Sequence, residues 1–430
     1  MVENKKNLVQ RNIFNEVAKH LEATEITLIV GPRQVGKTTL LLQLKDHLVS
    51  REYKESRILS FNLDLVTDRS LFASQTEFIK FLKERIGKDR LFVFVDEAQR
   101  VENAGIFFKG IYDLDLPVKF VLTGSSVLEI KSKIHEPLTG RKRVFYLYPL
   151  TFEEYLSAKD GSFVEFLKAE KKPTHYTEER LFEHLFQFIV WGGYPKIALE
   201  DNIEAREQFL KEIYSSYVER DIIGFLEIKN STAFTNLISV LSSQIGQLVN
   251  TQELSSTLNI ERKTVEKYLE IMGKTFITRR VTPFFRNIRK EITKMPKFYF
   301  LDNGMRNFAL QTLRSFETHP DKGPLLENFV FSEFTKYAEK TIHFWRTKEK
   351  AEVDFVIGEI TGETLPIEVK AATLNSPKIS RSFRSFLTSY EPKDAYIVNL
   401  GFSGDKKIAN TDVHFVYPYE IPKIIKQISR

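Results

Sequence analysis

The run GPRQVGKT fills Gly31–Thr38 and directly follows the apolar segment Ile26-Thr27-Leu28-Ile29-Val30. Gly31 and Gly36 stand where a backbone must turn sharply and approach an anion closely. Backbone N–H groups of such a loop point at phosphate, and the N-terminus of the helix expected over Lys37–Leu48 adds its dipole. Lys37 has the reach for β- and γ-phosphates, and Thr38 carries a hydroxyl suited to Mg²⁺. The candidate cradle comprises Gly31, Pro32, Arg33, Gln34, Val35, Gly36, Lys37, Thr38 and Thr39. The chemistry implied is binding of a nucleoside triphosphate, with ATP and Mg²⁺ as cofactors.

A second group completes that chemistry. Leu91-Phe92-Val93-Phe94-Val95 is wholly apolar, as a central parallel strand must be, and it ends in Asp96-Glu97. Asp96 is the candidate metal partner, and Glu97 the base that orients and deprotonates water. Val118–Thr123 reads as another strand, after which Thr123 or Ser125 is the candidate γ-phosphate sensor. Arg141 precedes a short strand at Val144–Leu147 and is the candidate arginine finger for a neighbouring subunit, with Arg143 competing for the role. A finger acting in trans implies a homo-oligomer, a ring or at least a dimer.

A third group lies near the C-terminus. Glu368 and Lys370 are two apart on the expected strand Leu365–Lys370 and so share a face. Asp354 lies on the preceding strand, and Glu327 in the first turn of a helix opened by Pro324. These carboxylates could hold Mg²⁺, with Asp354 and Glu368 as ligands, to activate water against a phosphodiester; Lys370 would position the water or stabilise charge.

Positioning these groups requires several elements. With Arg57–Leu63 as a further strand, strands and helices alternate over 1–150, an α/β pattern with a parallel sheet. Residues 151–230 turn helical, from a capping-box start at Thr151-Phe152-Glu153-Glu154, and read as a helical lid on the nucleotide domain. Residues 231–305 hold helices opening at Thr251 and Arg262, then strands Phe276–Val281 and Phe298–Leu301, the order of a winged helix. Residues 306–430 form an α/β C-terminal domain. Candidate DNA contacts are Arg262, Lys263 and Lys267 on the second helix, Arg286, Arg289 and Lys290 in the wing, and Lys378 and Arg381 on the C-terminal helix. Arg279, Arg280, Lys294 and Lys297 add to the wing against the single acid Glu291. Winged helices also serve as protein-contact modules.

Composition bounds the reading. The chain has 430 residues, 42% hydrophobic and 28% charged, which fits a globular protein of several domains. Absence of Cys excludes disulfides and cysteine zinc sites and fits a cytoplasmic location. The start MVENKKNLVQRNIF has no apolar signal core, and no run approaches the roughly 20 apolar residues of a membrane span. The net charge of +6 is mild, so a nucleic-acid partner requires local clustering of the basic residues.

Taken together, the chain resembles prokaryotic AAA-type ATPases whose C-terminal half is an uncharacterised domain similar to PD-(D/E)XK nucleases. The resemblance rests on GPRQVGKTTLL at Gly31–Leu41, VDEAQ at Val95–Gln99, LTGSS at Leu122–Ser126 and LTGR at Leu138–Arg141. It continues through PLTFEEY at Pro149–Tyr155, PKFYFLDNGMRN at Pro296–Asn307, LENFVFSE at Leu326–Glu333, AEVDFVI at Ala351–Ile357 and IEVKA at Ile367–Ala371. It implies ATP hydrolysis, a winged helix between the end domains, and action on DNA of the kind used in repair and recombination. Glu327, Asp354, Glu368 and Lys370 fill the nuclease-like positions. The expectation is therefore a Mg²⁺-dependent ATPase that binds or remodels branched or broken DNA, with metal-dependent nuclease chemistry. The alternatives are a nucleotide-gated regulatory switch, whose winged helix contacts DNA or a protein, and a protein-remodelling ATPase. The lack of an aromatic–apolar–Gly pore loop between Gly36 and Asp96 counts against the last.

Overall fold

A computed structural model describes residues 8–428, except 88, 125–137, 170–172, 225–227, 285–294, 338–339 and 359–361. The chain divides into two compact units, Met1–Pro149 and Leu150–Arg430.

The first unit is built on a parallel sheet of β1 (Ile26–Val30), β2 (Ile58–Asn62), β3 (Leu91–Asp96), β4 (Val118–Gly124) and β5 (Lys142–Tyr146), in the order β2-β3-β4-β1-β5. Parallel strands covered on both faces must be apolar throughout, and β1 and β3 are buried at every position. The helix Lys37–Ser50 turns Leu40, Leu41, Leu44 and Leu48 inward, a stripe at helical spacing. Five phenylalanines pack together here: Phe61, Phe72, Phe78, Phe107 and Phe108 meet ring to ring between β2 and the helices Gln75–Arg85 and Ala104–Tyr112. All five strands point the same way, so the phosphate loop, Asp96 and Thr123 emerge at one edge, where ligands of open α/β sheets bind.

The second unit holds an eight-stranded mixed sheet. Its strands are β6 (Thr278–Pro283), β7 (Lys297–Phe300), β8 (Ile342–Arg346), β9 (Glu352–Ile357), β10 (Leu365–Lys370), β11 (Asp394–Asn399), β12 (Gly404–Ile408) and β13 (Thr411–Val416), in the order β12-β13-β11-β10-β9-β8-β6-β7. The helix Lys322–Tyr337 packs against β7 and β10, and the helix Arg381–Tyr390 against β9. The two strands expected of a wing pair with each other, β6 antiparallel to β7. Beyond its pairing with β7, β6 continues into the C-terminal sheet through Thr282↔His343 and Pro283↔Phe344.

The helical segment expected as a lid of the nucleotide domain is likewise built into the second unit. Asp302 accepts from the Gly193 amide at 2.7 Å, and Asn307 donates to the Val190 carbonyl at 2.9 Å. A side chain at Gly192, whose φ is +79°, would lie 2.3 Å from the Asp302 carboxylate, so that residue must be glycine. Arg306, fully buried, donates to the Ser242 carbonyl and to Asp321. The capping box at Thr151 forms as expected, and the Phe152 amide is taken by buried Glu333 at 3.0 Å. The motifs LDNGMRN and LENFVFSE therefore act largely as internal fasteners.

Candidate functional sites

The phosphate loop has the backbone its sequence demands. Gly36 is left-handed at φ +96°, as is Gln34 at φ +60°. A β-carbon on Gly31 would lie 2.0 Å from the Leu147 carbonyl oxygen, so only glycine fits there. Lys37 is buried, and its ammonium donates to the Gly31 and Pro32 carbonyls at 3.0 and 2.8 Å, bridging the loop it will serve. Arg11, which the sequence did not mark out, donates to the Val35 carbonyl at 2.7 Å and the Tyr148 carbonyl at 2.6 Å. It fixes the back of the loop to the end of β5; a lone arginine in the N-terminal segment carries no motif by which to find it.

β4 lies between β1 and β3 and joins the two halves of the site. Thr38 Oγ1 donates to Asp96 Oδ2 at 2.6 Å, and Thr123 Oγ1 donates to Asp96 Oδ1. The Glu97 amide donates to Thr123 Oγ1 at 3.0 Å. Glu97 itself is left-handed at φ +56°, and Gln99 donates to its carboxylate. A hydroxyl has one proton, and that of Thr123 is given to Asp96, so none remains for a phosphate. The contacts of Thr123, expected as a candidate sensor, are those of a brace for Asp96 and Glu97. Ser125 lies outside the described residues. Thr38 also spends its proton on Asp96, which leaves its oxygen lone pairs for a cation: the donor set fits Mg²⁺.

Arg141 lies at the other edge of the sheet. Its carbonyl accepts from the Ile26 amide, at the start of β1, about 13 Å along the strand from the loop after Val30. It is out of reach of its own chain's phosphates, and it pairs with Asp113 at 2.6 Å. Arg143 pairs with Glu16.

In the second unit, the antiparallel pairing of β9 and β10 runs through Ile367↔Phe355, so the next positions along the ladder are Glu368 and Asp354. Lys370 Nζ meets Glu368 Oε1 at 2.7 Å, and the Val369 amide donates to Asp354 Oδ2 at 2.7 Å. Burial, then the Glu327 charge, raises the Asp354 pKa to about 8. Glu368 is 4% exposed, and its Oε2 has no hydrogen-bond partner among the described residues. An orphaned buried carboxylate oxygen beside a second carboxylate is what a divalent cation would satisfy.

Glu327 behaves otherwise than expected. The helix begins at Lys322, so Glu327 is in its second turn, and it accepts from the Tyr299 hydroxyl at 2.5 Å. Lys297, expected on the wing, is 1% exposed, 3.9 Å from Glu327 and 2.6 Å from Glu352. Lys297, Tyr299 and Glu352 thus surround the acidic cluster. They were hidden because Lys297 reads as one more cation in a basic stretch. Among the described residues, no three Asp, Glu, His or Cys side chains are gathered as a ready metal cage. Asp354 and Glu368 hold facing positions on the ladder, and the Glu327 carboxylate, held by Tyr299, bears on Asp354 through its charge.

Of the candidate DNA contacts, Arg262, Lys263 and Lys267 are exposed on the helix Arg262–Lys274. Arg262 pairs with Glu266 at 2.8 Å, and Glu270 with Lys274. Arg286, Arg289 and Lys290 lie outside the described residues. Arg381 is the first residue of its helix, whereas Lys378 is exposed in the segment before it, a correction to its expected place on that helix.

Comparisons with known proteins agree with the first unit. Residues 23–156 match the AAA domain family, and residues 182–315 and 322–421 match two domains of unknown function, DUF8612 and DUF4143. With the loop geometry, this makes the first unit a P-loop ATPase domain of AAA type, a nucleotide-binding α/β fold. An uncharacterized protein of Haemophilus influenzae is 25% identical over 335 residues, 76% of this chain and 78% of its own. One of Mycobacterium tuberculosis is 24% identical over 413 residues, 95% of this chain and 83% of its own. One of Methanocaldococcus jannaschii is 25% identical over 386 residues, 87% and 80% respectively. Among solved structures, the Aeropyrum pernix ORC2 protein in its ADP form has TM-score 0.36 at 11% identity, covering 73% of this chain and 96% of that one. The Aeropyrum pernix ORC1 protein in complex with DNA has TM-score 0.29 at 12% identity, covering 71% and 92%. Scores of this size carry no functional argument. Among the described residues, no helix is long and apolar enough to cross a membrane.

Proposed function

We propose that this chain couples ATP hydrolysis in its first unit to work on DNA, and that Asp354, Glu368 and Lys370 form a phosphodiester-cleaving centre. The observation that carries the reading is the orphaned Glu368 oxygen beside Asp354 and Lys370, in a chain whose other unit is an ATPase domain. In the nucleotide site, Lys37 exchanges the Gly31 and Pro32 carbonyls for β- and γ-phosphate oxygens, and Glu97 takes a proton from the attacking water. Thr38 and Asp96 would hold Mg²⁺, which supplies charge neutralisation across the phosphates. In the acidic site, Asp354 gives up its proton before it can act as a ligand, and Lys370 orients water or meets charge on the phosphate. Asp354 and Glu368 would hold a divalent cation there, which supplies Lewis-acid activation. An arginine at position 141 would act on the nucleotide of a neighbouring subunit, within a homo-oligomer.

The test is steady-state ATP turnover with Mg²⁺, alone and with single-stranded, duplex, forked and four-way-junction DNA. Stimulation by one form supports the reading and names the substrate shape; indifference to all four refutes action on DNA.

A second reading, a nucleotide-gated switch that binds a protein, draws on a different observation. The groove of about 690 Å³ between the helix Arg262–Lys274 and β6–β7 is lined by alternating charge, with Arg262 against Glu266 and Lys274 against Glu270. Such a balanced wall suits a peptide better than a polyanion.

A further inference from the structure

A second cavity of about 530 Å³ opens in the C-terminal unit, between the helix His175–Trp191 and the segment Leu313–Glu317. Its size is that of small-molecule sites, roughly 300–1,000 Å³. At its inner end is Arg206, 6% exposed. Two guanidinium nitrogens are spent: Nε donates to the Glu200 carbonyl at 2.7 Å and Nη1 to Gln187 at 2.8 Å. The third, Nη2, has no acceptor among the described residues. Nor does Arg206 form an ion pair there, although a buried guanidinium ordinarily finds one.

The rest of the cavity sorts by depth. Its three acids are at the rim: Asp201 is 90% exposed and pairs with Lys159 at 2.5 Å, Glu183 is 69% exposed and lies 3.9 Å from Arg180, and Glu317 is exposed. Arg314 also lines the rim, exposed and with no ion pair among the described residues. The walls are rings. Phe186, half-buried, stacks on Phe316 with centroids 4.6 Å apart, and Trp191 lies 5.5 Å from the Arg206 guanidinium. His184 is held by the Tyr155 hydroxyl at 3.1 Å, and burial, with Arg180 assisting, lowers its pKa. It is therefore uncharged near neutral pH and adds no competing charge.

We propose that this cavity binds a small ligand combining an aromatic ring with an anionic group, of nucleoside monophosphate size, with the anion on Arg206 and Arg314 and the ring against Phe186 and Trp191. Arginine suits this role because its planar fork matches phosphate and carboxylate oxygens. The ligand would be distinct from the nucleotide of the phosphate loop, and the proposal stands whether or not the chain acts on DNA.

The chain has two tryptophans, Trp191 and Trp345, so in a Trp345→Phe background Trp191 alone reports on the cavity. A Lys37→Ala change in the same full-length chain weakens binding at the phosphate loop. AMP, benzoate and inorganic phosphate are titrated against Trp191 fluorescence. Saturable change with AMP, and at least tenfold weaker binding of phosphate, supports the proposal and favours a nucleotide; saturation by benzoate rather than AMP supports it with an aromatic acid. Arg206→Lys and Arg314→Ala should each weaken binding tenfold or more. Arg314 is exposed, so its variant decides the matter if the Arg206 variant does not fold. No saturable change with AMP or benzoate, phosphate binding as tightly as AMP, or an affinity indifferent to Arg314→Ala overturns it.

Discussion

The Thr38 hydroxyl donates to Asp96 Oδ2 at 2.6 Å, tying the first turn of the helix after the phosphate loop to the end of β3. The other Asp96 oxygen is taken by Thr123, on the strand that separates β3 from β1. One carboxylate is therefore oriented by two hydroxyls from two directions, and the sheet order makes that arrangement necessary. The two threonines are not equivalent, since Thr38 alone is placed to share a metal with Asp96.

This asymmetry separates two variants. Thr38→Ala should raise the Mg²⁺ concentration needed for half-maximal turnover by about tenfold or more, because a cation ligand is lost. Thr123→Val should lower kcat about tenfold while nucleotide affinity stays within about twofold, because only the support of Asp96 and Glu97 is lost. Thr123→Ser should restore most of the rate. Equal Mg²⁺ profiles for both variants would remove the distinction.

Glu97 stands in a left-handed conformation with its amide on Thr123, contacts that a glutamine at this position keeps. Glu97→Gln should retain nucleotide binding and lose about 10²- to 10⁴-fold in turnover, the usual size of a general-base contribution. Nucleotide affinity by fluorescence and turnover by phosphate release separate the two effects. Unchanged turnover would dismiss Glu97 as the base.

Gly31 tests the packing of the loop itself. Its missing β-carbon would lie 2.0 Å from the Leu147 oxygen, and the Leu147 amide in turn donates to the Val30 carbonyl at 2.8 Å. Gly31→Ala must therefore push β5 away from β1. We expect about 1–3 kcal/mol of lost stability, as for other overpacking changes, together with weakened ATP binding. A variant with wild-type melting and affinity would show that the loop has slack there.

The phosphate loop and the β3 acids were legible in the sequence because fixed spacing and an all-apolar strand leave one arrangement open. Which role Thr123 plays was not, since position alone cannot tell a hydroxyl facing phosphate from one facing a neighbouring strand. The pair Glu368 and Lys370 was legible through strand alternation, and they meet at 2.7 Å. The setting of Glu327 was not legible, because its hydrogen-bond partner, Tyr299, comes from a strand 28 residues away that carries no chemical signature of its own. The additional pairing of the wing strand β6 with β8 was not legible for a similar reason: it spans 61 residues, and nothing local announces it.

Asp354 supplies a pH test with a definite sign. Burial and the Glu327 charge hold its folded pKa near 8, far above the ordinary carboxylate value of about 3.9. Between those values the folded state binds the additional proton. The contribution of Asp354 to stability therefore falls as pH rises, by at most about 1.4 kcal/mol per unit. Asp354→Asn removes this dependence, so its stability relative to wild type should increase from pH 5.5 to 8 in the presence of EDTA. Both tryptophans lie in the second unit, so urea unfolding followed by tryptophan fluorescence reads the right transition. A divalent cation must displace the same proton. Mn²⁺ should accordingly protect the wild type more strongly at pH 8 than at pH 6, with affinity tightening up to about tenfold per unit, and should leave Asp354→Asn nearly unmoved. A wild-type-to-variant difference that stays flat with pH would mean that Asp354 is ionised throughout, and that the site does not hold its proton in reserve for a metal.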